Sequence, residues 1–169
     1  KRVYSCTNQI IFMSLEIERK FLVKNDTWKK VTFKQIIIKQ GYLNSDKNRT
    51  VRIRISDHQG FITVKGVSNA SGTTRFEWEK EIDVQEANQL LAICEPNIIE
   101  KTRYLVKNGI HIFEIDEFFG ANKGLVIAEI ELNSENETFE KPSWLSEEVT
   151  GNTMYYNATL SKLPFSLWK

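Results

Sequence analysis

The chain has 169 residues, 41% of them hydrophobic and 27% charged, enough apolar material for one domain with its own core. Its 23 Lys and Arg nearly balance 22 Asp and Glu, a formal net charge of +1, which argues against a surface-wide basic field for nucleic acid and against an acidic solvating tail. Cys6 and Cys94 lack any metal-binding spacing, and apolar runs such as Ile36-Ile37-Ile38 are far too short to span a bilayer, so the expectation is a reduced, cytoplasmic protein with no membrane partner.

Residues 1–12 begin basic but carry no apolar stretch that would serve as a signal peptide. Met13 reads as the natural start, with 1–12 an upstream extension and 13–169 a single domain. Period-2 alternation of apolar and polar residues dominates from there and predicts strands over 14–24, 34–44, 49–56, 60–66, 73–83, 98–107, 110–118 and 125–134. Asp57-His58-Gln59-Gly60 and Lys107-Asn108-Gly109 read as hairpin turns, the glycines supplying positive φ. Asp83 is placed to cap a helix over 84–95, with Ala87, Leu90, Leu91 and Cys94 as its apolar stripe and Pro96 as its stop. Short helices are expected near 26–31 and 153–162. Eight strands joined mostly by hairpins, with a few helices outside, predict an α+β protein built on an eight-stranded antiparallel barrel or curled sheet.

The polar half of the alternation is unusual, because it gathers charges of one sign. Glu16 and Glu18 precede Lys20 in "EIERK"; Arg52 and Arg54 alternate with Val51, Ile53 and Ile55; Lys65 is in phase with Thr63. Arg75, Glu77, Glu79 and Glu81 share one face of "RFEWEKEI", Lys101 and Arg103 one face of "EKTRYLV", Glu114 and Asp116 one face of "FEID", and Glu129 and Glu131 one face of "AEIEL". Neighbouring like charges on a solvent face stabilise nothing. Turned inward they would line a charged lumen, where charges about 5 Å apart interact by several kcal/mol and call for counter-ions. A polyanion answers the cations and divalent metal answers the acids. Carboxylate donors without His or Cys favour Mg²⁺ or Mn²⁺ over Zn²⁺.

These segments resemble a known family. Glu16-Ile17-Glu18-Arg19-Lys20 matches the Glu-x-Glu-x-Lys signature of the CYTH superfamily, the triphosphate tunnel metalloenzymes. The likeness runs through "QGYL", "VRIRI", "ITVKG", "RFEWEKEI", "KTRYLV", "FEIDEFFG", "LVIAEIEL" and "EVTGNTMYYNATL". It implies an eight-stranded tunnel that hydrolyses inorganic triphosphate to pyrophosphate and phosphate with Mg²⁺ or Mn²⁺, with nucleoside triphosphates as side substrates. By motif, Glu16, Glu18, Glu129 and Glu131, with one or more of Glu77, Glu79 and Asp116, would bind metal. Lys20, Arg52, Arg54, Lys65, Lys101 and Arg103 would hold phosphates, and Lys20 and Glu18 would serve catalysis. Tyr155 and Asn157 match a C-terminal segment that packs near one tunnel mouth. The expected partner is a small triphosphate, with no nucleic acid, the protein acting as monomer or homodimer. A class IV adenylyl cyclase, a thiamine triphosphatase and a non-catalytic polyphosphate or nucleotide sensor stand as alternatives. His58 and His111 receive no role.

Overall fold

The computed structural model describes residues 17–168 apart from 47, 69–74 and 135, and the side chains of Ser68 and Arg75 lie outside that description as well. Residues 1–12, Cys6, Met13 and the expected metal ligand Glu16 therefore fall outside the described residues. The elements in order are β1 (Ile17–Val23), β2 (Thr32–Asn44), β3 (Thr50–Ser56), β4 (Gln59–Ser68), β5 (Arg75–Ile82), α1 (Val84–Ala92), β6 (Ile99–Asn108), β7 (His111–Phe118), β8 (Val126–Leu132), β9 (Leu145–Glu148) and α2 (Asn157–Leu160). Single 3₁₀ turns occupy Thr27–Val31, Gly120–Asn122, Thr153–Tyr155 and Phe165–Leu167. No helix among the described residues is long and apolar enough to cross a membrane.

All nine strands belong to one sheet, in the order β5-β4-β3-β2-β6-β7-β8-β1-β9. This corrects the expected eight-stranded closed barrel. Among the described residues β5 and β9 are free edges, because β9 takes the second edge of β1 through Phe21↔Glu148 and Val23↔Leu145. The sheet is nonetheless curled. One cavity of about 240 Å³ is lined from five adjacent strands, β4, β3, β2, β6 and β7.

The alternation sorts its two faces. On the convex side Phe21, Phe113, Ile115, Ala128 and Ile130 pack against Trp28, Trp144 and Leu145. Farther along, Ile53 packs with Ala87 and Leu91 of α1. Each large apolar side chain so buried contributes about 1.5–3 kcal/mol. The helix starts where expected, with Asp83 accepting from Gln85 N and Glu86 closing the capping box, but it stops at Ala92, which leaves Cys94 just beyond it. There Gly41 lets the chain after α1 cross β2: a Cβ would lie 2.6 Å from Ile98 Cδ1 and 2.9 Å from Cys94. In the β3–β4 turn the positive φ belongs to Asp57 (52°), whose Oδ1 accepts from Ile37 N; Gly60 is in the strand. Gly109, at φ 62°, turns β6 into β7 as expected.

On the concave side the charged positions give way at one end to Leu22, Ile99, Phe118 and Ile127. These pack with Leu160, Tyr155, Phe165 and Trp168 of the C-terminal segment. That segment is a 3₁₀ turn followed by a four-residue helix, rather than one continuous helix over 153–162. Its packing fills one end of the curled sheet. The opposite end is the open mouth, reached by Lys34, Glu114 and the β3–β4 turn.

Candidate active site

The concave charges form two groups on facing stretches of the sheet. The first is centred on Arg103 of β6. Its guanidinium donates from Nε to Asp116 Oδ1 at 2.8 Å, from Nη2 to Asp116 Oδ2 at 2.8 Å and to Glu129 Oε2 at 3.0 Å, and from Nη1 to Glu114. Asp116 also accepts from Lys101 Nζ, and that pair is almost fully buried, with side chains 2% and 1% exposed. Lys20 Nζ donates to Glu129 and, at 2.7 Å, to Glu18 Oε1. A continuous ionic chain therefore runs Lys101–Asp116–Arg103–Glu129–Lys20–Glu18. Register makes it possible: Lys20↔Glu129, Glu114↔Glu129 and Arg103↔Asp116 are directly opposite across β1, β8, β7 and β6.

The second group lies on β3, β4 and β5. Glu79 accepts from Thr63 Oγ1 at 2.6 Å, from Arg52 Nη2 at 3.3 Å and from Arg54 Nη2 at 3.2 Å. Lys65 Nζ sits 2.9 Å from Glu77. The Nε atoms of both Arg52 and Arg54 are buried without a hydrogen-bond partner. Two forked cations thus share one carboxylate and keep donor capacity to spare, as an anion-binding wall would.

The fields in this cleft are large. Burial opposes the charge on Asp116, but Lys101 and Arg103 outweigh it and hold the carboxyl well below its ordinary range. Burial lowers Lys101, against the pull of Asp116. Burial opposes the charge on Lys20 too, yet Glu129 and Glu18 together hold its ammonium above the usual value. Burial and then Arg52 lower Arg54. Glu18 moves the other way. Although 39% of its side chain is exposed, burial and the neighbouring Glu129 carboxylate push its carboxyl up to about 7, more than Lys20 pulls it down. The acidic side of the cleft holds more negative charge than its own cations neutralise.

Of the expected metal ligands, Glu18 and Glu129 converge on one point, where Lys20 Nζ now sits. Glu131 is exposed two residues beyond Glu129 on the same face, opposite Glu18 in register. Glu77, Glu79 and Asp116 each lie against a cation, and Glu81 accepts from Gln59 Nε2 at 3.3 Å near the mouth. Among the described residues no three carboxylates close on a single point. Glu18 and Glu129, which share the Lys20 ammonium, still suit a hard cation that completes its shell with substrate oxygens and water. Of the expected phosphate ligands, Arg52, Arg54, Lys65, Lys20 and Arg103 line the cleft, and Lys101, one step from Arg103 on the same face toward the closed end, is 3% exposed. Tyr155 packs on Trp168 in the segment that fills the closed end. Lys34 and Phe61 line the cavity unforeseen. Lys34 shares its parity with Ile36 and Ile38, so the alternation disguises it as part of an apolar run.

A curled antiparallel sheet whose inner face is an interlocked array of basic and acidic side chains defines a β-protein built to enclose a polyanion with a cation. The chain belongs to the CYTH domain family, whose profile matches residues 14–166. An inorganic triphosphatase of Acetivibrio thermocellus is 46% identical over 158 residues, 93% of this chain and 99% of that one. An inorganic triphosphatase of Nitrosomonas europaea is 36% identical over 151 residues, 86% and 96% of the two chains. A solved structure of an inorganic triphosphatase superposes with a TM-score of 0.64 at 34% identity, covering 88% of this chain and 95% of its own.

Proposed function

We propose that this protein is a divalent-metal-dependent inorganic triphosphatase, cleaving tripolyphosphate to pyrophosphate and phosphate in the concave cleft. The observation that carries the reading is the two opposed cationic walls, Arg52 with Arg54 and Arg103 with Lys20, beside the carboxylates of Glu18 and Glu129, which share one ammonium. The names of the relatives support the same substrate. Phosphoryl transfer asks for charge neutralisation on the non-bridging oxygens and for alignment of the attacking water with the leaving group. Arg52 and Arg54 turn their unused donors to phosphate oxygens, and Arg103, locked in orientation by Asp116 and Glu114, faces them. Lys65 adds charge on the same wall. Lys101 acts through Asp116, keeping it ionised so that Arg103 stays in place.

Glu18 and Glu129, joined by Glu131 and Glu16, would hold Mg²⁺ or Mn²⁺. Such an ion supplies Lewis-acid neutralisation of the phosphates and acidifies water. Lys20 then carries its positive charge between these carboxylates and the phosphates. Water displaces pyrophosphate at the terminal phosphorus: one P–O bond forms, the bond to the bridging oxygen breaks, and the water proton is released.

Following tripolyphosphate with Mg²⁺ by ³¹P NMR tests this directly. Equal amounts of pyrophosphate and phosphate are expected, with loss of at least about a hundredfold in rate for Arg54→Ala. Tight binding of tripolyphosphate without turnover would make the protein a sensor instead, and cyclic AMP from ATP would make it a cyclase.

A further inference from the structure

We propose that Lys34, with Lys107 farther out, forms a subsite for the phosphates beyond the third, so that the open mouth reads the length of a linear polyphosphate. The inference rests on the triphosphatase reading above and concerns what lies outside the three phosphates that the cleft holds.

Because the C-terminal segment fills the other end, a longer chain projects through the mouth on the side of Lys34. Lys34 lines the same cavity of about 240 Å³ as Arg54 and Arg103. Those two are both engaged, Arg54 with Glu79 and Arg103 with Asp116, Glu114 and Glu129. No ion pair or hydrogen bond of the described residues involves the Lys34 side chain, which is exposed, so its ammonium stands as an unneutralised charge at the exit. Register extends the lane: Lys34 is opposite Leu105 on β6, and two residues on is Lys107, whose Nζ lies 5.3 Å from the centre of the Phe33 ring.

The remaining walls of the mouth are acidic. Glu18 and Glu131 end the concave rows of β1 and β8 and Glu81 that of β5; Glu114 is the last charge on that of β7, one step inside Ile112, and Asp57 sits in the β3–β4 turn. An anionic extension is repelled from those sides and drawn along β2 and β6. A nucleoside triphosphate would instead put its neutral ribose and base there and gain nothing from Lys34.

The test compares kcat/KM for tripolyphosphate, tetrapolyphosphate, longer linear polyphosphate and ATP, with Mg²⁺, in the wild type, Lys34→Gln, Lys34→Arg and Lys107→Gln. Lys34→Gln should lower the tetrapolyphosphate-to-tripolyphosphate ratio about fivefold, as expected for one exposed charge pair, and Lys34→Arg should restore it. Lys107→Gln should lower the ratio only for chains of five phosphates or more, and the ATP-to-tripolyphosphate ratio should not fall in any variant. An unchanged ratio in Lys34→Gln, or equal loss on all four substrates, overturns the proposal. If the wild type hydrolyses none of them, the triphosphatase reading fails by itself. Calorimetric affinities for tetrapolyphosphate and tripolyphosphate with Mg²⁺ then give the same ratio, and its insensitivity to Lys34→Gln would overturn the subsite.

Discussion

Replacing Asp116 by Asn is the most informative single change to the framework. The carboxylate is 1% exposed and takes two hydrogen bonds from Arg103 at 2.8 Å and one from Lys101, itself buried. The amide keeps the shape but removes the charge and turns an N–H₂ toward one of the two cations, leaving Lys101 without a counter-charge in a dry environment. Breaking a buried pair in this way costs about 3–5 kcal/mol. With a urea m-value of about 2 kcal/mol/M the unfolding midpoint should fall by roughly 1.5–2.5 M. The pH dependence has a definite sign. Asp116 is depressed in the folded state from an ordinary 3.8, so its contribution is complete above that pH and is lost as pH falls below it. The wild-type and Asp116→Asn stability curves should therefore converge in acid. Lys101→Met combined with Asp116→Leu, which removes both buried charges, should recover part of the loss. A midpoint change under about 0.5 M for Asp116→Asn, with parallel pH curves, would refute the claim that this pair anchors Arg103.

Arg54→Lys should reduce kcat/KM for tripolyphosphate by about tenfold or more while changing stability by less than about 1 kcal/mol, because the fork that grips phosphate is lost but the pairing with Glu79 is partly exposed. In thermal melts without substrate, Mg²⁺ at about a hundred times its Kd should raise the wild-type Tm by roughly 5–10 °C, and Glu129→Gln should abolish the rise. Leu160→Ala, which empties a fully buried position at the closed end, should cost about 2–5 kcal/mol, measured by urea unfolding.

Much of this site was legible because two periodicities coincide. Arg52 and Arg54 among β-branched neighbours, and Glu129 beside Glu131, announce a charged strand face without any knowledge of topology. The Asp83 cap and the stop before Pro96 located α1 to within a few residues at its end. The ninth strand, which leaves the sheet open, was not legible. β9 is four residues, Leu-Ser-Glu-Glu, too short for alternation to register, and only its long-range pairing with β1 makes it a strand. Parity places Lys101 in one row with Arg103, but it cannot tell how deeply a side chain is buried, and Lys101 is 3% exposed. Lys34 escaped for the opposite reason, since it sits on a face that is otherwise isoleucine. The positive φ of the β3–β4 turn passed from Gly60 to Asp57 because the Asp carboxylate secures the turn through Ile37 N, while Gly60 must pack 2.7 Å (as a would-be Cβ) from Ala87.

Diffraction from a crystal grown with tripolyphosphate and Mn²⁺ addresses the central claim without intermediaries. Three phosphates on the concave face, with oxygens within hydrogen-bond distance of Arg52, Arg54 and Arg103 and an anomalous peak between Glu18 and Glu129, are the predicted result. Phosphate bound only on the convex face, with the Arg54–Glu79 and Lys20–Glu129 pairs undisturbed, would contradict it.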